Sequence, residues 1–217
     1  LGPSDGTAKV GWLSFAVAGG YNRRVECDAL EVDMEYPSVL WKRLDTSGTD
    51  ACRFVSRDEG WAIEGQANFV HEGAVACLSY SLLCAPDWTS RLAVVNGWVG
   101  HRPLSLVIER SDAAGWQLNG QAVPGSEALL DVDLGFTPAS NTNAIRRLGL
   151  GIGDRTETTA LWLDSEDWTL KPLVQSYHRT SATTFAYASP IHGYQAELET
   201  DGFGVIRSYP DLWVAVR

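Results

Sequence analysis

The sequence predicts an antiparallel all-β protein, and three observations predict it. No stretch of a dozen residues holds the 3.6-residue apolar period of an amphipathic helix. Short alternating apolar runs recur instead, each bounded by Gly, Asp, Asn, Pro or Ser. An octapeptide is also repeated, as Gly60-Trp-Ala-Ile-Glu-Gly-Gln-Ala67 and Gly115-Trp-Gln-Leu-Asn-Gly-Gln-Ala122. Alternation and turn chemistry of this kind fit a sandwich, a barrel or a strongly curved sheet.

Taken in order, the alternation predicts strands over 25–36 and 61–64. Residues 75–83 form the next strand. Strands follow over 91–95, 104–109 and 116–118. Residues 129–134 read as a strand with Asp131 and Asp133 on one face and Val132 and Leu134 on the other. The run Gly135-Phe-Thr-Pro-Ala-Ser-Asn141 reads as a wide connection, and 145–152 as the returning strand. The rest fall at 158–163, 170–177, 183–187, 194–198, 205–208 and 212–216. Any helix is expected to be a turn or two.

The segments after the two octapeptides also match in pattern: a strand, a polar turn containing Pro86 or Pro138, then a strand with Arg91 or Arg146. The repeat suggests a pseudo-symmetric sheet wrapped around one interior. Residues 1–40 precede the first unit and read as an N-terminal extension forming an edge hairpin; 41–217 form the β domain.

A length of 217 residues is enough to bury a sizeable core. The formal net charge of -10 argues against nucleic acid and against anionic membrane surfaces, both of which need basic surfaces. No apolar run reaches the roughly 20 residues of a membrane helix, so no transmembrane segment is expected. Residues 12–18 end in an Ala-x-Ala pattern, but the apolar stretch is short for a signal peptide. Cys27, Cys52, Cys77 and Cys84 show no metal-site spacing and read as reduced, buried thiols. That fits a cytoplasmic protein. No nucleotide or metal motif is present, so neither a cofactor nor a metal is expected. His71, His101, His178 and His192 are scattered; His178, beside Tyr177 and Arg179, is the best candidate for acid–base work. Asp87 and Asp167, each directly before a Trp, read as turn residues.

Residues 131–148 concentrate acids, asparagines and two arginines beside apolar positions. One reading is a salt-bridge network stitching neighbouring strands. The other is a head-group site, with arginine donating and acids or asparagines accepting from sugar hydroxyls. On a strand only one of Arg146 and Arg147 can face inward. Arg146 shares its face with Leu148 and Leu150 and is expected inside.

The run DVDLGFTPASNTNAIRRLGL from Asp131, with WKRLD at Trp41–Asp45, GWAIEG, DWTSR at Asp87–Arg91 and SYPDLW at Ser208–Trp213, resembles the putative glycolipid-binding family. The resemblance covers roughly 41–217. It departs from the family pattern at Asn143-Ala144, where a Leu-Pro pair is usual, and the departure is expected to alter the pocket rim. The resemblance implies a single large, strongly curved antiparallel sheet or open β-barrel, similar to bacterial lipoprotein carriers. It also implies a hydrophobic or glycolipid-like ligand, and brings no catalytic residues.

The sequence therefore points to a binder of a lipid-like or other amphipathic small molecule in the cavity of a curved sheet. Asp131, Asp133, Asn141 and Arg146 would contact the polar head, with Trp61, Trp88, Trp116 and Phe136 in the apolar wall. Each buried methylene supplies about 0.8 kcal/mol, while association costs at least about 4 kcal/mol. An acyl chain alone would bind weakly, so head-group contacts would supply selectivity. The alternatives are an isomerase or cyclase using Asp133 and His178 on a hydrophobic substrate, and an interaction module with exposed sheet edges.

Overall fold

The computed structural model describes residues 37–111 and 115–216. The expected strand over 25–36, Cys27 and the proposed edge hairpin lie outside the described residues, apart from the last few positions of the extension. The chain forms β1 (Ser38–Arg43), β2 (Gly48–Arg57), β3 (Gly60–His71), β4 (Ala74–Cys84) and β5 (Ser90–Val99). Next come β6 (Arg102–Ser111), β7 (Gly115–Leu118), β8 (Gln121–Ala122), β9 (Val132–Leu134) and the helix α1 (Ala139–Leu148). The second half holds β10 (Arg155–Asp164), β11 (Thr169–Arg179), β12 (Thr184–Ser189), β13 (Tyr194–Thr200), β14 (Ile206–Tyr209) and β15 (Trp213–Ala215).

Among the described residues, all fifteen strands join one sheet, in the order β8-β7-β6-β5-β4-β3-β2-β1-β15-β14-β13-β12-β11-β10-β9. It is two meanders meeting at the β1–β15 pair, antiparallel throughout except for β9 on β10. The two ends, β8 and β9, are not hydrogen-bonded to each other, so the sheet is curled but open. The segment between them bridges the gap: Ser90 donates its N–H to Leu130 O, and Trp116 Nε1 donates to Leu129 O.

Alternation sets the two faces. In β4 the residues Ala76, Leu78, Tyr80, Leu82 and Cys84 are buried, and those between them are partly or fully exposed. Hairpins form where the turn residues accept positive φ. Glu72-Gly73 (φ 47° and 79°) joins β3 to β4, and Asn119-Gly120 (φ 50° and 78°) joins β7 to β8. Inside the curl, Trp41, Trp116, Phe54, Phe136 and Tyr177 are fully buried. Trp41 Nε1 donates to Ile206 O at 2.7 Å across the meander junction.

Two expectations are corrected here. Residues 145–152 are not a returning strand; the first four of them end α1. Ala139 to Ile145 are all buried, so this helix lies inside the curl. Pro138 directly precedes it, Gly149 closes it in the left-handed conformation (φ 56°), and Arg146 and Arg147 complement its C-terminal dipole. The octapeptide copies also differ in space. Both begin with a positive-φ glycine, but the first runs on through β3 while the second turns at Asn119-Gly120.

Candidate functional site

The polar block around β9 and α1 divides into two groups. Asp131 is 2% exposed and accepts from both Nε and Nη2 of Arg147, and from Asn143 Nδ2 at 3.2 Å. Asn143, fully buried inside α1, also donates to Ser90 Oγ and so ties the helix to the sheet. Because these residues are helical, Arg147 turns toward Asp131, and Arg146 is exposed. Helical rather than strand geometry thus corrects the expected inward placement of Arg146.

Asp133 faces a different neighbourhood. Its Oδ2 accepts from Gln175 Nε2 at 2.6 Å, and its Oδ1 accepts from Ser140 Oγ at 2.9 Å. Burial pushes its carboxyl above the usual range, against these two hydrogen bonds, and the charge of Asp131 adds to the rise. Gln175 also donates to Tyr187 Oη at 3.1 Å, and Asn141 Nδ2 donates to Tyr177 Oη at 3.0 Å.

Asp133 and Asn141 line a cavity of about 270 Å³ between the start of α1 and strands β10 to β15. Its walls are aromatic: Trp162, Tyr187, Tyr194, Tyr209 and Trp213. Ser189 lies in the lining at 4% exposure, and its Oγ has no hydrogen-bond partner. An orphaned buried hydroxyl is costly in a filled core, and a hydrogen-bonding ligand would satisfy it. Gly135 completes the wall where Trp162 passes: a Cβ there would sit 2.4 Å from Trp162 Nε1 and 2.8 Å from Leu163 O. His192 stands at the exposed rim, edge-on to Trp162 at 5.1 Å.

A second buried carboxyl supports the helix start. Asp50 on β2 is fully buried; its Oδ2 accepts from Tyr80 Oη at 2.8 Å and from Thr137 Oγ1, and Oδ1 has no partner. Thr137 Oγ1 in turn accepts the Ala139 N–H at the first residue of α1. Burial raises the Asp50 pKa from 3.8 to about 6 despite these hydrogen bonds.

The remaining candidates are spread out. Trp116 and Phe136 are fully buried in the packed core, Phe136 against Phe69 and Tyr80. Trp61 and Trp88 stack at 4.7 Å and meet Phe203, toward the end of α1 opposite the cavity, where the Arg146 guanidinium lies over Trp88 and Phe203. Asp87 and Asp167 each accept the N–H two residues on, and the Trp between them is held at positive φ (Trp88 68°, Trp168 60°). His178 alternates with the inward Tyr177 on β11, which puts it on the opposite face of the sheet from Asp133. Among the described residues no cluster of His, Cys, Asp or Glu could hold a metal ion, and Cys52, Cys77 and Cys84 are free thiols. No helix among them is long and apolar enough to cross a membrane.

Sequence reasoning missed most of the wall. Trp162, Tyr187, Ser189, Tyr194, Tyr209 and Trp213 come from five strands, and no local motif gathers them. The signal available was period two: Phe185, Tyr187 and Ser189 are the buried face of β12.

Among the described residues, the fold is an open, curled antiparallel sheet with a buried helix, and an aromatic–polar cavity lies beside the start of that helix. The chain belongs to the family described as "Putative glycolipid-binding", which matches residues 38–215. It is also similar to the crystal structure of a DUF1089 family protein from Pseudomonas aeruginosa. That protein is 28% identical, with a TM-score of 0.67 over 88% of this chain and 98% of the other. No protein with a curated description matches the chain.

Proposed function

We propose that the protein binds an amphipathic, glycolipid-like small molecule and holds its polar end in the cavity between α1 and β10–β15. The observation that carries this reading is the combination of aromatic walls with an unpartnered, buried Ser189 Oγ beside Asp133. Ligand sites are mostly apolar with a few placed polar groups, which is the composition here. The volume argues for part of a ligand only. At about 270 Å³ the cavity falls just short of the roughly 300–1,000 Å³ of a site for a drug-sized molecule. A head group fits, and the chain of a lipid would leave through the mouth.

Of the residues expected at the site, Asp133 and Asn141 contact the ligand in this reading. Asp131, Trp116 and Phe136 support the fold, and Arg146, Trp61 and Trp88 form a separate cluster. Native mass spectrometry of protein purified without detergent, followed by solvent extraction, tests the proposal. An amphiphile that co-purifies, and is lost on replacing Ser189 with a bulky Phe, is the expected result. A bare protein that takes up no added amphiphile would overturn it.

A further inference from the structure

The chemistry of the cavity lining goes beyond the presence of an amphiphile to the class of its head. Among the described residues that line it there is no Lys and no Arg. Several basic groups on the surrounding elements are committed elsewhere, and Arg155 on β10 and Arg207 on β14 do not line the cavity. Arg147 is paired with Asp131, and Lys171 with Asp164 and Asp167. Arg43, whose guanidinium stacks over the Trp213 ring at 5.0 Å, is held by both oxygens of Asp45. An anionic head placed here would lose its hydration with no counter-charge to replace it. It would also lie against Asp133, an acidic side chain in the same lining.

What the lining does offer suits hydroxyls. A sugar hydroxyl both donates and accepts, so it can satisfy Ser189 Oγ and give a proton to Asp133 in a hydrogen bond. The C–H face of a pyranose ring is apolar and packs on flat aromatic walls such as Trp162, Tyr194 and Tyr209. We infer that the cavity is a subsite for the ring of one uncharged sugar and discriminates against anionic head groups. The inference rests on the reading of this cavity as the head-group end of an amphiphile site.

The test compares two ligands that share ring and chain and differ by one carboxylate: n-octyl β-D-glucoside and n-octyl β-D-glucuronide. Both are titrated calorimetrically into the full chain below their micelle concentrations. The titrations are run at pH 8, well above the ordinary imidazole range. The expected result is glucoside binding, with the glucuronide weaker by about tenfold or more, the low end for a charge buried without a partner. Ser189→Ala removes an unpartnered hydroxyl, so it should fold as well as the parent and bind the glucoside less tightly. Asp133→Asn should narrow the gap between the two ligands.

Equal binding of both ligands, or an unchanged glucoside affinity in Ser189→Ala, would overturn the uncharged-sugar subsite. Failure of both ligands beside a co-purifying amphiphile of another class would overturn the subsite and leave the amphiphile reading standing. Failure of both with no amphiphile recovered would overturn the two together.

Discussion

Replacing Arg147 with Met separates an architectural role for the acid–arginine block from a role in binding. Arg147 is about one-sixth exposed, and its partner Asp131 is 2% exposed at the side chain. Two charge-assisted hydrogen bonds join them, and Asn143 supplies a third to the same carboxylate. Removing the arginine leaves a buried carboxylate with one amide for company. Breaking a buried pair from one side typically costs about 3–5 kcal/mol, against about 0.2–1 kcal/mol for an exposed pair. In a domain of this size that corresponds to a thermal midpoint lowered by roughly 10 °C. Urea unfolding of Arg147→Met, Asp131→Asn and the double variant gives the coupling energy directly. The double variant should recover much of the loss, since no unpaired charge remains buried. Ligand affinity of the folded fraction should be unchanged. A cost under about 1 kcal/mol for Arg147→Met would refute the reasoning, because it would place the pair energetically at the surface.

Three further variants probe Asp50, the cavity wall and the far end of α1. The folded-state pKa of Asp50, about 6, lies above its ordinary 3.8, so its stabilising contribution is full below pH 3.8 and is lost as pH rises through 6. Two units amount to about 3 kcal/mol, so Asp50→Asn should flatten the fall in urea midpoint between pH 4 and 7; parallel profiles would contradict this. Gly135→Ala drives a Cβ against Trp162 and the Leu163 carbonyl. It should cost about 1–3 kcal/mol and weaken glucoside binding, and an unaltered melt and affinity would show the wall more yielding than its geometry. Arg146→Met removes the contacts over Trp88 and Phe203. It should cost about 0.5–1 kcal/mol without changing ligand affinity; lost binding would move the site to that end of α1.

Much of the sheet was legible because the side-chain period is unambiguous where one face is buried. The runs around Leu78, Leu106, Leu161 and Tyr187 all became strands. β1 and β2 were not anticipated, and Asp50 is part of the reason. It occupies an inward position with Cys52 and Phe54, so the buried face of β2 does not read as apolar. The helix was hidden by buried polar residues as well. Its first seven residues are all buried and rich in Ser, Thr and Asn, which neither favour helix nor draw an apolar stripe. Pro138 before it and Gly149 after it were the readable signals. That single misreading also reversed the two arginines, since Arg146 and Arg147 exchange roles when a strand becomes a helix. The block at 131–148 was legible as chemistry, but its split into a sealed pair and a cavity wall depends on contacts with Gln175, Tyr177 and Ser189, far along the chain.

The most direct test of the central claim is a crystal structure of the full chain with n-octyl β-D-glucoside. The account predicts a sugar ring between Trp162, Tyr194 and Tyr209, within hydrogen-bond distance of Ser189 Oγ and Asp133, with the octyl chain leaving through the mouth. Density for the ligand only around Trp61, Trp88 and Arg146, or on the outer face of the sheet, would contradict it.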